Sequence, residues 1–118
     1  MTDEMKAEFA AAGIMADSLL ERFMDNEILA LKFLKRFLED KTFYELSASL
    51  EKADAERAYA ASHSLKGVCA NLSMESLYNL FSRQAEILRG GNVGSAAELM
   101  PQISEEYTKV ITFLKRLD

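Results

Sequence analysis

Between Asp54 and Leu72 the apolar and small residues Ala58, Ala61, Ser62, Leu65, Val68, Cys69 and Leu72 recur at intervals of three and four. At about 100° per residue, all seven fall within about 60° of Leu65 on a helical wheel. That stripe is the buried side of an α-helix; a strand would alternate every second residue. The opposite side must then face water. It carries His63, the single histidine of the chain, at about 160° from Leu65, with Gly67 at about 200°, Ala70 at about 140°, Tyr59 at about 120° and Lys66 at about 100°.

The same three-and-four spacing runs along the rest of the chain, and no alternating strand pattern, phosphate-binding glycine loop or internal repeat interrupts it. Thr2 is placed to cap a short helix that Gly13 ends, and Ala16 to Phe23 reads as a second, with Leu19, Leu20 and Phe23 inward. A long helix is expected from Asp25 or Asn26. Its stripe runs through Ile28, Leu31, Leu34 and Phe37 or Leu38, then Leu46 and Leu50 after an irregularity near Asp40 to Thr42. Asp54 is placed to cap the histidine helix and Ser73 the following one, which Gly90-Gly91 ends. Ser95 with Glu98 three residues later matches a capping box for the last helix, which carries Met100, Ile103, Tyr107, Val110, Leu114 and Leu117. Pro101 falls inside that helix and should bend its first turns. The expectation is an all-α fold: a single domain over 1–118, with short N-terminal helices over 1–24 packed across one end of an up-and-down four-helix bundle over 25–118.

Composition narrows the function classes. A chain of 118 residues with 49% hydrophobic and 28% charged residues supports one core and is neither disordered nor membranous. No run approaches the roughly 20 apolar residues of a bilayer span, and Met-Thr-Asp-Glu-Met-Lys lacks the basic-then-apolar order of a signal peptide. A cytoplasmic location is therefore expected. The net charge of −5 argues against nucleic acid as a partner. The one cysteine, Cys69, lies on the core stripe and reads as a small buried hydrophobe.

On the wet face a nucleophile, a cation and a gap share one patch. Lys66 and Gly67 follow His63 by three and four residues, one helical turn away. A glycine inside a helix costs about 1 kcal/mol relative to alanine; on the exposed face no packing need explains it, which leaves close approach by an outside surface or a tolerated defect. A lone surface histidine is also often inert. Lys66 by itself reads equally as a solvated charge, and Ala70 as a good helix former.

His63-Ser64-Leu65-Lys66-Gly67, followed by Val68-Cys69-Ala70-Asn71-Leu72, resembles the signature of histidine-containing phosphotransfer (HPt) domains of bacterial phosphorelays: H-x-L-K-G, then small residues and N-L-G. Gly13-Ile14 and Leu20-Glu21-Arg22-Phe23 resemble the family's lead-in, and Leu77, Leu80 and Phe81 its next core stripe, so the likeness extends from about Gly13 to Leu117. Two positions depart from the pattern. Ser73 stands where the family has glycine, so Asn71 is expected to supply the left-handed turn. Gln84 comes one position before the site of a polar residue that faces the histidine in many members, where this chain has Ala85.

The resemblance implies that His63 is the phosphoacceptor, taking a phosphoryl group from the phospho-aspartate of one response-regulator receiver domain and passing it to the aspartate of another. Lys66 would offset phosphoryl charge and Gly67 would admit the receiver; Tyr59, Ala70 and Gln84 would border the interface. Phosphoryl transfer rests on positioning and electrostatics, and the receiver would bring its own acidic pocket and Mg²⁺, so the chain needs no cofactor of its own. A neutral imidazole, with an ordinary pKa of about 6.5, is nucleophilic at cytoplasmic pH. The implied partners are receivers and a hybrid sensor histidine kinase, the implied state a monomer with a small, transient interface. Two readings stand beside it: the phosphoacceptor module of a hybrid or chemotaxis-type kinase, and a noncatalytic receiver-binding bundle. A metal-binding bundle would want Glu-x-x-His pairs, and no glutamate precedes His63 by three. The chain carries no ATP-binding segment, so any catalysis is shared with a partner.

Overall fold

The computed structural model describes residues 1–117. Eight α-helices follow in order: α1 (Asp3–Ala11), α2 (Ala16–Arg22), α3 (Glu27–Arg36), α4 (Thr42–Glu51), α5 (Ala55–Asn71), α6 (Glu75–Arg89), α7 (Val93–Ala97) and α8 (Met100–Arg116), with a 3₁₀ turn at Phe37–Glu39 after α3. No strand forms among the described residues; a single antiparallel bridge joins Ile14 and Met74. The molecule is elongated, 44 × 23 × 20 Å.

α5 lies between α4 and α6, and α8 packs on α6, α3 and the 3₁₀ turn. One hydrophobic core runs through all of them. Its largest fully buried members include Phe9, Leu34, Leu46, Leu65, Phe81, Ile103 and Leu114. Aromatic pairs seat α1 and α4 on α8: Phe9 of α1 meets Phe113 of α8 edge-on at 4.8 Å, and Phe43 of α4 stacks on Tyr107 of α8 at 3.9 Å and 6°. α1 and α2 gather at the end where α5 hands over to α6, through the Met15 N–H to Ser73 carbonyl bond of 2.9 Å and the Ser18–Ser73 hydroxyl pair at 2.9 Å.

Thr2, Asn26 and Asp54 cap α1, α3 and α5 as the spacing predicts, each accepting a backbone N–H. Other expectations about the helices are corrected. The long second helix is interrupted: α3 tightens into the 3₁₀ turn and α4 starts anew, its Thr42 N–H bound by the Asp40 carboxylate at 2.8 Å. α3 turns Ala30 and Leu34 inward, and Ile28 is 83% exposed. Asn71 stays helical and Ser73 is the left-handed residue, at φ +54°; α6 therefore has Met74 as its N-cap, without a side-chain cap. Ser95 does not start the last helix. Asn92 caps the short α7 by accepting from the Ser95 N–H, and Pro101 falls in the first turn of a separate α8, where a missing N–H costs nothing.

Five helices end in the same way, with a left-handed residue after the last turn. In each, that residue's N–H and the next one reach back to the helix carbonyls, as in Ser73 to Ala70 and Met74 to Cys69. Only Gly13 and Gly91 are glycines; Met24, Ala53 and Ser73 adopt φ of 53°, 54° and 54° with a side chain in place. Ala53 is exposed. Ala53→Gly is expected to raise stability by about 0.5–1 kcal/mol, because the left-handed conformation costs alanine more than glycine loses in entropy. Urea denaturation checks it.

Two core groups make the fold sensitive to alkali. Burial pushes the Cys69 thiol up from 9.0 to about 12, and burial first, then the nearby Tyr44 and Asp40, pushes Tyr107 up from 10.0 to about 12. Above pH 9 the folded chain therefore holds protons that the unfolded chain releases, so these groups' contribution to stability is full below about pH 9 and falls progressively towards pH 12. The melting temperature is expected to drop over that window. Cys69 should resist iodoacetamide at pH 8 until the chain is unfolded.

Candidate functional site

The site is built by one helix whose two sides have opposite requirements. Facing α4 and α6, α5 buries Ala58, Ala61, Ser62, Leu65 and Cys69. Four of the five are small, so the neighbouring backbones come close and leave α5 no freedom to rotate. The wet side is then determined residue by residue. His63 and Gly67 are exposed; Tyr59, Lys66 and Ala70 are half-buried. A Cβ built at Gly67 meets no atom within 4 Å, so nothing in the fold requires glycine there. Lys66 forms no ion pair among the described residues.

Tyr59 and His63 are stacked, ring centroids 5.6 Å apart and planes at 14°. Helical side chains lean toward the N-terminus, which carries the imidazole back over the turn that holds Tyr59. The ground over Gly67 stays open on the other side.

Gln84 does not belong to this patch. It is 0% exposed, and its amide is fully engaged: Oε1 accepts from the Ser62 hydroxyl at 3.0 Å, while Nε2 donates to the Ala96 carbonyl at 3.1 Å and to Met100 Sδ at 3.3 Å. Ser62 also reaches the Phe81 carbonyl at 3.3 Å. Gln84 therefore ties α5, α6, α7 and α8 together beneath the site, and the role of helper or border residue is corrected to that of an internal tie. No sequence signal separates the two, because i, i+4 spacing places Gln84 at the edge of the α6 stripe in either case.

No known family, curated protein or solved structure matches the chain.

Beside the patch lies a surface that periodicity alone did not single out. Met24 is 92% exposed, Ile28 83% and Phe33 38%, with Leu29 between them. Phe33 and Arg36 of α3 share a recess of ≈ 220 Å³ with Val68 and Asn71 of α5, and the Arg36 guanidinium sits over the Phe33 ring at 4.8 Å. Asn71 is one turn beyond Gly67, so the α3 surface continues the His63 face. Lys32, Lys35 and Arg36 bring three cations to it on a chain of net charge −5, with Asp40 lining the same recess. On the opposite flank, a groove of ≈ 480 Å³ between α4 and α5 is lined by Glu45, Lys52, Asp54, Arg57 and Ser64 among others. Among the described residues no three His, Cys, Asp or Glu side chains converge as a metal site.

Chemically the patch offers one accessible nucleophile, one nearby ammonium group and a bare helical turn. Ser62, adjacent in sequence, is buried and bound, and Ser64 makes no side-chain hydrogen bond to a base. Gln84→Leu removes the buried amide bonds, while the Ala96 carbonyl keeps the Leu99 N–H and Ser62 keeps the Phe81 carbonyl; it is expected to cost about 1–2 kcal/mol while leaving the His63 surface intact. Chemical denaturation measures the loss, and the His63 ring resonances check that the surface is unaltered.

Proposed function

We propose that the chain is a histidine-containing phosphotransfer domain, with α3 and α4, α5, α6 and α8 as the members of its four-helix bundle, acting with cytoplasmic receiver domains. The observation that carries this reading is the pairing of an exposed His63 with a Gly67 that the fold does not need. A helix that gives up about 1 kcal/mol for bare backbone beside a nucleophile is shaped for an incoming surface. The resemblance of His63-Ser64-Leu65-Lys66-Gly67 to the HPt signature supports the same conclusion.

The Nε2 lone pair of His63 attacks the phosphorus of a receiver's phospho-aspartate in line. A P–N bond forms as the P–O bond to the aspartate breaks, and the carboxylate leaves with that electron pair. The reverse exchange, onto the carboxylate of a second receiver, returns the free imidazole. Lys66 lies one turn away and partly offsets the charge of the phosphorylated ring, a contact worth about 1.5–3 kcal/mol when well made and less in water. Mg²⁺ at the receiver's acidic pocket would neutralise the phosphoryl oxygens. The basic and apolar surface of α3 complements such an acidic partner and extends the footprint beyond the reacting atoms, within the area of a transient contact, below roughly 1,200 Å².

His63→Gln is expected to abolish labelling from phosphorylated receivers with helicity unchanged; persistent labelling would place the acceptor elsewhere. Gly67→Gln meets no steric obstacle and should stabilise the fold by up to about 1 kcal/mol while slowing transfer on the order of a hundredfold, the penalty for holding the reactants about 1 Å apart from the productive geometry. Transfer at the normal rate would remove the argument from close approach. A chain that binds receivers and takes no phosphate from any of them would be the noncatalytic bundle instead.

A further inference from the structure

From the Tyr59–His63 stack we infer that Tyr59 is the positioning residue of the phosphoacceptor, an inference that rests on the phosphotransfer reading above. An exposed imidazole has a broad χ2 well and reorients within picoseconds to nanoseconds. In-line attack requires its Nε2 lone pair to point in one direction. Tyr59 supplies that constraint: its ring is half-buried and packed against the core, so it is a fixed plate, and the imidazole lies nearly parallel to it at 14° and 5.6 Å.

The arrangement leaves reactivity intact. The lone pair of Nε2 lies in the ring plane, Tyr59 flanks a face and His63 is exposed, so the stack does not obstruct the nucleophilic edge. The phenol flanks one face of the ring in an offset stack, and the next turn, at Gly67, is open, with nothing within 4 Å of a Cβ position. A docked receiver therefore meets a ring already oriented, approached from one side. Among the described residues the hydroxyl of Tyr59 makes no hydrogen bond to another side chain, and the ring stack is its contact with His63, so the ring alone carries the effect and phenylalanine should serve as well.

This separates two kinds of phosphodonor. Phosphoramidate, a small donor that needs no docking, gives up its phosphoryl group as Nε2 bonds to phosphorus and the P–N bond of the donor breaks, releasing ammonia. It approaches from any direction and does not depend on a preset ring. A receiver docks in one orientation and does.

The test compares the whole chain with Tyr59→Leu and Tyr59→Phe. His63 is the single histidine, so its two ring-carbon protons are read directly by NMR. They are expected upfield in the wild type and Tyr59→Phe relative to Tyr59→Leu, through the ring current of the stack. Phosphoramidate labelling should be equal in all three. Transfer from a receiver domain charged with acetyl phosphate, chosen from a panel for its activity with the wild type, should fall about tenfold in Tyr59→Leu and stay normal in Tyr59→Phe. Unchanged transfer in Tyr59→Leu overturns the inference, as do identical ring shifts in all three proteins. An equal loss of phosphoramidate labelling and receiver transfer overturns it too, since Tyr59 would then act on the nucleophile itself or on the fold. A wild type labelled by phosphoramidate and by no receiver overturns the phosphotransfer reading and, with it, the role of Tyr59 in transfer; the ring shifts, which need no receiver, still decide whether the stack forms.

Discussion

The close packing of α5 between α4 and α6 is the constraint from which the rest of the surface follows. Ala58, Ala61, Ser62 and Cys69 are small enough to let three helices approach, and Leu65 and Phe81 fill the space between them. A helix held that tightly cannot roll. Every residue of its far side is thereby assigned a direction, and His63, Lys66 and Gly67 come to share one exposed turn without any loop to arrange them. A site on a rigid helix keeps its geometry better than one on a mobile segment, which suits a reaction that consists mainly of presenting one nitrogen to a partner.

Beneath that surface, Ser62 and Gln84 do for polarity what the alanines do for shape. Their buried hydrogen bonds join α5 to α6 and to the short α7, whose Ala96 carbonyl is one of the acceptors. A buried amide of this kind fixes one register, because a slip of either helix would leave polar groups unpaired in the core. The position directly before the phosphoacceptor candidate is thus the most firmly tied of the helix. The exposed apolar residues of α3 stand in contrast. Among the described residues Met24 and Ile28 stay almost fully exposed, while Phe33 is partly covered by Phe23 and by the Arg36 guanidinium.

The all-helical class and the wet side of α5 were legible from the residues because the 3.6-residue period is a local property. Helix ends were less so. Met24, Ala53 and Ser73 take left-handed conformations normally marked by glycine, so the usual stop signal was absent at three ends. Ser95 and Glu98 fit a capping box, yet the turn at Gly91 delivers Asn92 to the cap first. Ile28 stands three and six residues before Leu31 and Leu34, but steps of three drift about 60° each around a helix, and Ala30, four before Leu34, takes the inward place. Gln84 illustrates a further limit: a polar residue at the edge of a stripe looks the same whether it faces solvent or a buried hydroxyl twenty-two positions earlier. The pairing of Tyr59 with His63 was half legible, since i, i+4 spacing places the rings together and only coordinates show them parallel.

If His63 is the phosphoacceptor proposed above, the chain carries phosphate on a single nitrogen, and peptide mapping by mass spectrometry after incubation of the intact wild type with a charged receiver reads this out. One added phosphoryl group is expected on the peptide containing His63, lost in acid and kept in alkali as a P–N bond requires. A chain left unmodified across the full set of receivers, or a phosphoryl group found on a serine, would rule the proposal out.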